Sequence, residues 1–249
     1  KEALGSGAIP VGIGVQIASP EIVEIAGAVC YEFVFLDCEH GSFFIETAVD
    51  MVRAADSAGT TPLVRVPSQE PSCIMRMLDA GAMGVIVPNV TTRSEAEASV
   101  AAAKYKMNGN RGARGACPGT RASRHQTSNW PEFVSWSNAN TMVWLLIESP
   151  DGVENIEDIV TVPGVDAIML GPFDLAHAMG LPGQTRHPEV VQSCMRVIAA
   201  AKNARVDVVA TLFSATPNEM RVEKQRWIDV GARILVVGSD RRIIVTALR

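Results

Sequence analysis

The chain has 249 residues, 47% of them apolar and 20% charged, with a formal net charge of −5. That is an ordinary globular composition, and its acidic balance argues against nucleic acid as a partner. The cysteines Cys30, Cys38, Cys73, Cys117 and Cys194 are scattered without a CxxC pair, which excludes a cysteine zinc site and predicts a reduced, cytoplasmic protein.

No run of about 18 apolar residues predicts a membrane span. The opening KEALGSGAIPVG lacks the charged-then-apolar layout of a secretion signal. From there, short β-branched runs alternate with longer amphipathic stretches. VGIGVQI (11–17) reads as a strand and PEIVEIAGA as the helix after it. FVFLDC (33–38) precedes ETAVDMVRAADSAG, PLVRV (62–66) precedes SCIMRMLDAGA, and GVIVPNV (84–90) precedes RSEAEASVAAAKY. Residues 107–140 read as one irregular segment, too long for a plain connection and therefore functional or interface-forming.

The alternation resumes with VWLLIES (143–149), GVENIEDIV, AIMLGP (167–172) and PEVVQSCMRVIAAAKNA. DVVATLF (207–213), PNEMRVEKQRWIDVGA and ILVVG (234–238) complete it. Continuous apolar runs indicate parallel strands buried on both faces. Gly59, Gly81 and Gly231 fall where helix C-caps favour glycine. Strands and helices alternating without a linker predict one α/β domain over 1–249, a (β/α)8 barrel. A doubly wound open sheet is the competing arrangement.

In such a barrel the active site lies at the carboxyl ends of the strands. His40 follows the second strand in LDCEHG, Arg65 closes the third, Glu148 ends the fifth and Asp174 follows the sixth. Each has a plain alternative: a loop histidine, a surface ion pair, or a helix N-cap for Asp174. Glu148 is harder to dismiss, because an apolar run leads into it and a carboxylate there needs a partner. Their joint arrival at one rim is the signal. Two carboxylates without a sulfur or imidazole partner suit a hard cation such as Mg2+ or Mn2+. An arginine beside them would stabilise an enolate oxygen, and an imidazole could move a proton. The set predicts enolate chemistry on a 2-oxo acid.

Other motifs carry less. Gly12 and Gly14 lack the third glycine of a dinucleotide fingerprint, and neither GxxxxGK[ST] nor GxSxG occurs. The stretch NGNRGARGACPGTRASR, with Arg111, Arg114, Arg121 and Arg124, reads as a lid or subunit contact rather than a nucleic-acid site.

FVFLDCEHG, PLVRVP, MLDAGAMGVIVPNV, NGNRGARG, LLIESPDGVENIEDI, VPGVDAIMLGPFDLAHAMGLPGQTRHPEV and ILVVGSD together resemble the HpcH/HpaI aldolase family across nearly the whole chain. The resemblance implies a modified TIM barrel of the phosphoenolpyruvate/pyruvate type. It implies a metal-dependent class II aldolase that cleaves a 4-hydroxy-2-oxo acid to pyruvate, or a similar 2-oxo acid, and an aldehyde. It also implies a homo-oligomer, a hexamer with its last helix exchanged between subunits. By the same resemblance Glu148 and Asp174 hold Mg2+, Mn2+ or Co2+, His40 is the base, and Arg65 steadies the enolate. Asp79 would raise the basicity of His40, although its place late in a helix sends it to the opposite rim; Asp37 is a local alternative. Phe173 would offer its backbone N–H to the oxo-acid carboxylate. Leu146 stands where relatives often carry a glutamine that contacts the oxo acid, which keeps condensing or decarboxylating enzymes acting on oxaloacetate as the alternative. A barrel kept without its chemistry, as a binding protein, is the remaining one.

Overall fold

The computed structural model describes residues 1–126, 128–214 and 216–249. Its strands are β1 (Val11–Val15), β2 (Phe33–Asp37), β3 (Thr61–Arg65), β4 (Gly84–Val87), β5 (Met142–Ile147), β6 (Ala167–Leu170), β7 (Asp207–Leu212) and β8 (Ile234–Ser239). Each pairs in parallel with the next, and β8 pairs with β1. The sheet is therefore a closed (β/α)8-type barrel and the open-sheet alternative falls away. Closure leaves no strand edge exposed.

The short helix α1 (Glu2–Gly5) precedes β1. Helices α2 (Pro20–Ala28), α3 (Ile45–Ser57), α4 (Pro71–Asp79) and α5 (Arg93–Ala103) follow the first four strands in turn. α6 (Trp130–Asn140) leads into β5, and α7 (Pro150–Glu154) and α8 (Ile156–Ile159) follow it. α9 (Pro172–Ala178) and α10 (Pro188–Ala204) follow β6, α11 (Pro217–Val230) follows β7, and α12 (Asp240–Ala247) follows β8.

Local chemistry explains many of these boundaries. Proline opens α2, α4, α7, α9, α10 and α11 in the first turn, where a missing N–H loses no helical bond. Thr92 with Glu95, and Thr216 with Glu219, form capping boxes on α5 and α11. The expectation of an irregular 107–140 needs correction, because α6 occupies its last third. WPEFVSWSNAN hides its apolar face among Ser and Asn, yet Val134 is buried and Tyr105 meets Trp130 and Phe133 edge-on.

Alternate residues of each strand point into the barrel or out toward the helices. Phe33, Trp144, Leu146, Met169 and Val236 belong to the inner cluster. Gly12 is part of that packing, since a Cβ there would lie 2.4 Å from the Phe33 ring. Leu36, Ile74, Leu145 and Ile168 belong to the layer between sheet and helices. Parallel register also places the site. Asp37 and Arg65 are partners at the ends of β2 and β3, so their side chains leave the sheet together. On β8 the register slips by one residue between Val236 and Ser239, a bulge that re-aims the chain entering α12.

The outer layer makes a direct prediction. Ile168 is fully buried, so Ile168→Ala should lower stability by about 2–5 kcal/mol. Urea unfolding should show a lower midpoint with an unchanged m-value.

Candidate active site

The acid at the end of β2 organises the carboxyl rim. Asp37 is almost fully buried. Its Oδ1 accepts from Arg65 Nε at 2.8 Å and its Oδ2 from Arg65 Nη2 at 2.6 Å. Gln16 Nε2 donates to Oδ2 at 2.8 Å, and the backbone N–H groups of Glu39 and His40 donate to Oδ1. Burial works to raise the Asp37 carboxyl, but the guanidinium of Arg65 and the other donors hold it below the usual carboxylate range. Arg65 is stabilised as a cation in return, despite its own burial.

This pairing leaves one arginine nitrogen facing elsewhere. Nη1 of Arg65 lies 3.1 Å from Glu39 Oε2. The contact is one of charge only, since Oε2 is buried without a hydrogen bond. Burial raises the Glu39 carboxyl, helped by the charges of Asp37 and Asp174 and opposed by Arg65 and His40.

The second acidic wall comes from β5 and β6. Glu148 is buried just past β5, and its Oε1 accepts the Asn89 N–H at 2.8 Å. Gln69 in turn donates to the carbonyls of Pro88 and Asn89, holding that loop in place. Gly171 gives Glu148 its room: a Cβ at 171 would sit 2.6 Å from Glu148 Cβ and 3.0 Å from Oε2. Burial pushes the Glu148 carboxyl up to about 7, with Glu39 and Asp174 adding to it against the Asn89 N–H and Arg65. Asp174 stands exposed in the first turn of α9. Both carboxylates line one cavity of about 180 Å3, shared with Gln16, Asp37, Arg65, Leu146, Phe173 and Arg242.

The donor set fits a hard divalent cation. Neither Glu148 nor Asp174 pairs with a lysine or arginine among the described residues. Glu39 Oε2 is an orphaned acceptor beside them. No group of three or more His, Cys, Asp or Glu forms a protein cage among the described residues. Two carboxylates leave the remaining positions of a cation to water and substrate oxygen.

The other expected residues divide. Leu146 is buried in the cavity wall, an apolar surface without a donor. Phe173 exposes its side chain. Its N–H precedes the first α9 bond, which runs from Leu175 N to Gly171 O, and so has no helical acceptor. His40 is exposed in the turn after β2. Its backbone is fixed by Asp37 and by Arg241, which donates to the His40 carbonyl at 3.2 Å. Asp37 thus holds the loop of His40 and not its ring. Asp79 is not brought to His40 within one chain. It ends α4 at the amino rim, where Arg114 Nη2 donates to it at 2.7 Å and Arg114 stacks over Tyr105. Helices run antiparallel to the strands they follow, so the last turn of α4 lies a barrel length from the site.

Cys38 is not a nucleophile here: burial, then the charge of Asp37, pushes its thiol up to about 12. Gln16, Gln69, Asn89, Ser239, Asp240 and Arg241 were missed at the sequence level. Gln16, Asn89 and Asp240 follow apolar strands as polar residues, the same signal that marked Glu148.

Barrels of this kind carry their chemistry at the carboxyl rim, so the class defined here is a (β/α)8-barrel enzyme. Residues 12–247 match the HpcH/HpaI aldolase/citrate lyase family, and the chain belongs to it. It is 34% identical over 242 residues to the 5-keto-4-deoxy-D-glucarate aldolase of Salmonella arizonae, covering 96% of this chain and 90% of the relative. A family member from Burkholderia cenocepacia superposes with a TM-score of 0.89 at 28% identity, covering 97% and 92% of the two chains. The citrate synthase SbnG superposes with a TM-score of 0.88 at 29% identity, covering 99% and 93%.

A lowered carboxyl contributes stability that is complete above its unfolded value of about 3.9 and is lost as pH falls through its folded value. Asp37→Asn should therefore cost about 3–5 kcal/mol at pH 7 by stranding the Arg65 charge. It should also flatten the loss of stability below about pH 4. Urea unfolding at pH 7, 5 and 3 measures both.

Proposed function

We propose that the protein is a divalent-metal-dependent aldolase that reversibly cleaves a 4-hydroxy-2-oxo acid into pyruvate, or a similar 2-oxo acid, and an aldehyde. The observation that carries this reading is the one cavity lined by Glu148, Asp174 and Arg65. The main rival mechanism, a Schiff base, needs a lysine. Lys1, Lys104, Lys106, Lys202 and Lys224 are the lysines of the chain, and none lines the cavity. Lys104, which burial pushes down to about 8, donates to the carbonyls of Asn138 and Thr141 at the amino rim.

Glu148 and Asp174 would hold Mg2+, Mn2+ or Co2+, which when bound supplies a Lewis acid for the oxo-acid oxygens. Arg65, kept rigid and charged by Asp37 and with its Nη1 beside Glu39, would stabilise the oxygen where enolate charge grows as the C3–C4 bond breaks. The free N–H of Phe173 suits the oxo-acid carboxylate. His40 exchanges the proton between the C4 hydroxyl and C3, directly or through water. Leu146, Met169 and Phe35 give the pocket an apolar floor that strengthens these charge interactions.

A second reading is a condensing or decarboxylating enzyme acting on oxaloacetate. Leu146 removes the glutamine contact that the family often makes, and the similarity to a citrate synthase supports it. Product analysis with oxaloacetate, against pyruvate plus small aldehydes, separates the two.

The assembly is part of the proposal. α12 buries only Asp240, while Ile243, Ile244, Val245 and Leu248 stay exposed, and α11 buries none of its residues. A second copy covering this sector suits the hexamer with an exchanged last helix. The same arrangement bears on Asp79. If it supports His40, it does so from a neighbouring copy, since each chain keeps the two on opposite rims.

Glu148→Gln and Asp174→Asn should each remove metal-dependent turnover and weaken Mn2+ binding by isothermal titration calorimetry. Retained turnover in either variant contradicts the reading. His40→Ala and Asp79→Asn should each be impaired alone. Mixed oligomers of the two should regain a fraction of activity, because some sites then carry both intact residues. No recovery on mixing places Asp79 outside the reaction.

A further inference from the structure

The His40 ring makes no hydrogen bond among the described residues, so its direction is set by the backbone that carries it. That backbone belongs to a tight turn over residues 37–43. Asp37 fixes the entry: its Oδ1 accepts the N–H groups of Glu39 and His40, and its carbonyl accepts that of Gly41 at 3.0 Å. A Cβ at position 41 would run into the Asp37 carbonyl oxygen, so the turn needs glycine to close. Phe43, buried in the layer beneath the helices, fixes the exit. Between these anchors His40 and Ser42 are exposed.

A brace over this exposed middle comes from the first turn of α12. Arg241 Nη1 donates to the His40 carbonyl at 3.2 Å, and Nη2 donates to the Gln16 carbonyl at 3.0 Å and to the Ser42 hydroxyl. The same Gln16 carbonyl accepts the Ser42 N–H at 3.1 Å, so the turn, the end of β1 and α12 meet at one point. Arg241 is itself anchored. Asp240 Oδ1 accepts its N–H at 2.7 Å, and the buried Asp240 carboxylate also accepts the N–H groups of Gln16 and Ile17. No ion pair among the described residues includes Arg241. Its charge is directed instead at two carbonyls and a hydroxyl, where a charged donor makes the stronger bond. The planar fork reaches all three acceptors at once.

We infer that Arg241 is a positioning residue for proton transfer: it fixes the His40 carbonyl while Asp37 fixes the His40 N–H, and the two together aim the imidazole. The inference rests on the aldolase reading above, in which His40 moves the proton at C3, and it adds the first turn of α12 to the parts that reaction needs. Arg241 does not line the cavity, so it acts through His40 and not on the substrate. Its loss should therefore slow proton transfer and leave the binding of oxo acid and cation in place.

The test follows deuterium exchange at C3 of pyruvate with Mg2+ present, over a range of pyruvate concentrations, beside Mn2+ binding by isothermal titration calorimetry. Arg241→Met keeps the stem and removes the donors. It should lower kcat for exchange on the order of ten- to hundredfold, the cost of a misplaced reacting group. The KM for pyruvate and the affinity for Mn2+ should be unchanged. Arg241→Lys should keep part of the rate, and guanidinium ion added below unfolding concentrations should restore part of it to Arg241→Ala. Ser42→Ala removes one acceptor, should lower kcat less, and serves as the second variant should the Arg241 forms fail to fold. An unchanged kcat in folded Arg241→Met, or in Ser42→Ala where the former does not fold, overturns the role of Arg241 alone. A weaker Mn2+ affinity or higher KM that accounts for the whole loss equally overturns it. No exchange by the wild-type protein removes the aldolase reading and this inference with it.

Discussion

The geometry of the carboxyl rim depends on one buried ion pair, Asp37 with Arg65. Parallel register sets the two residues side by side at the ends of β2 and β3. Such a pair is costly to desolvate and is tolerated when every lone pair and proton finds a partner. Asp37 meets that condition with the two arginine nitrogens, Gln16, and the N–H groups of Glu39 and His40. The network then continues. Asp240 accepts the N–H groups of Gln16 and Ile17, and Arg241 donates to the carbonyls of Gln16 and His40. The ends of β1, β2, β3 and β8 are thereby fixed to one another, with the loop of His40 held between them.

Against this satisfied network stands a deliberately unsatisfied one. Glu148 feels Glu39 and Asp174 as like charges, Glu39 feels Asp37 and Asp174, and among the described residues no ion pair offsets the burial of Glu148. Positive charge is fully paired on one wall and negative charge is left open on the next, the arrangement on which the proposed cation site rests.

Much of this was legible in the sequence. Continuous apolar runs marked all the strands, and polar residues closing them marked Arg65, Glu148 and Asp174 on one cavity. Two things were not legible. α6 was hidden because its exposed face is Ser and Asn rather than charge, which blurs the helical period. The role of Asp37 was underrated, because a pairing across strands depends on register, which one chain read linearly does not give. The separation of His40 from Asp79 follows from helix direction. It was foreseeable, but the sequence holds no information on a second copy.

Glu148 and Asp174 are proposed to confer a cation-dependent activation of a 2-oxo acid, with no help from an aldehyde. The most direct measurement is proton NMR of pyruvate in deuterated solvent with the wild-type protein. The methyl signal should be lost to deuterium when Mg2+, Mn2+ or Co2+ is supplied, and should persist once the cation is chelated. Exchange that continues undiminished after chelation, or none with any of the three ions, would contradict it.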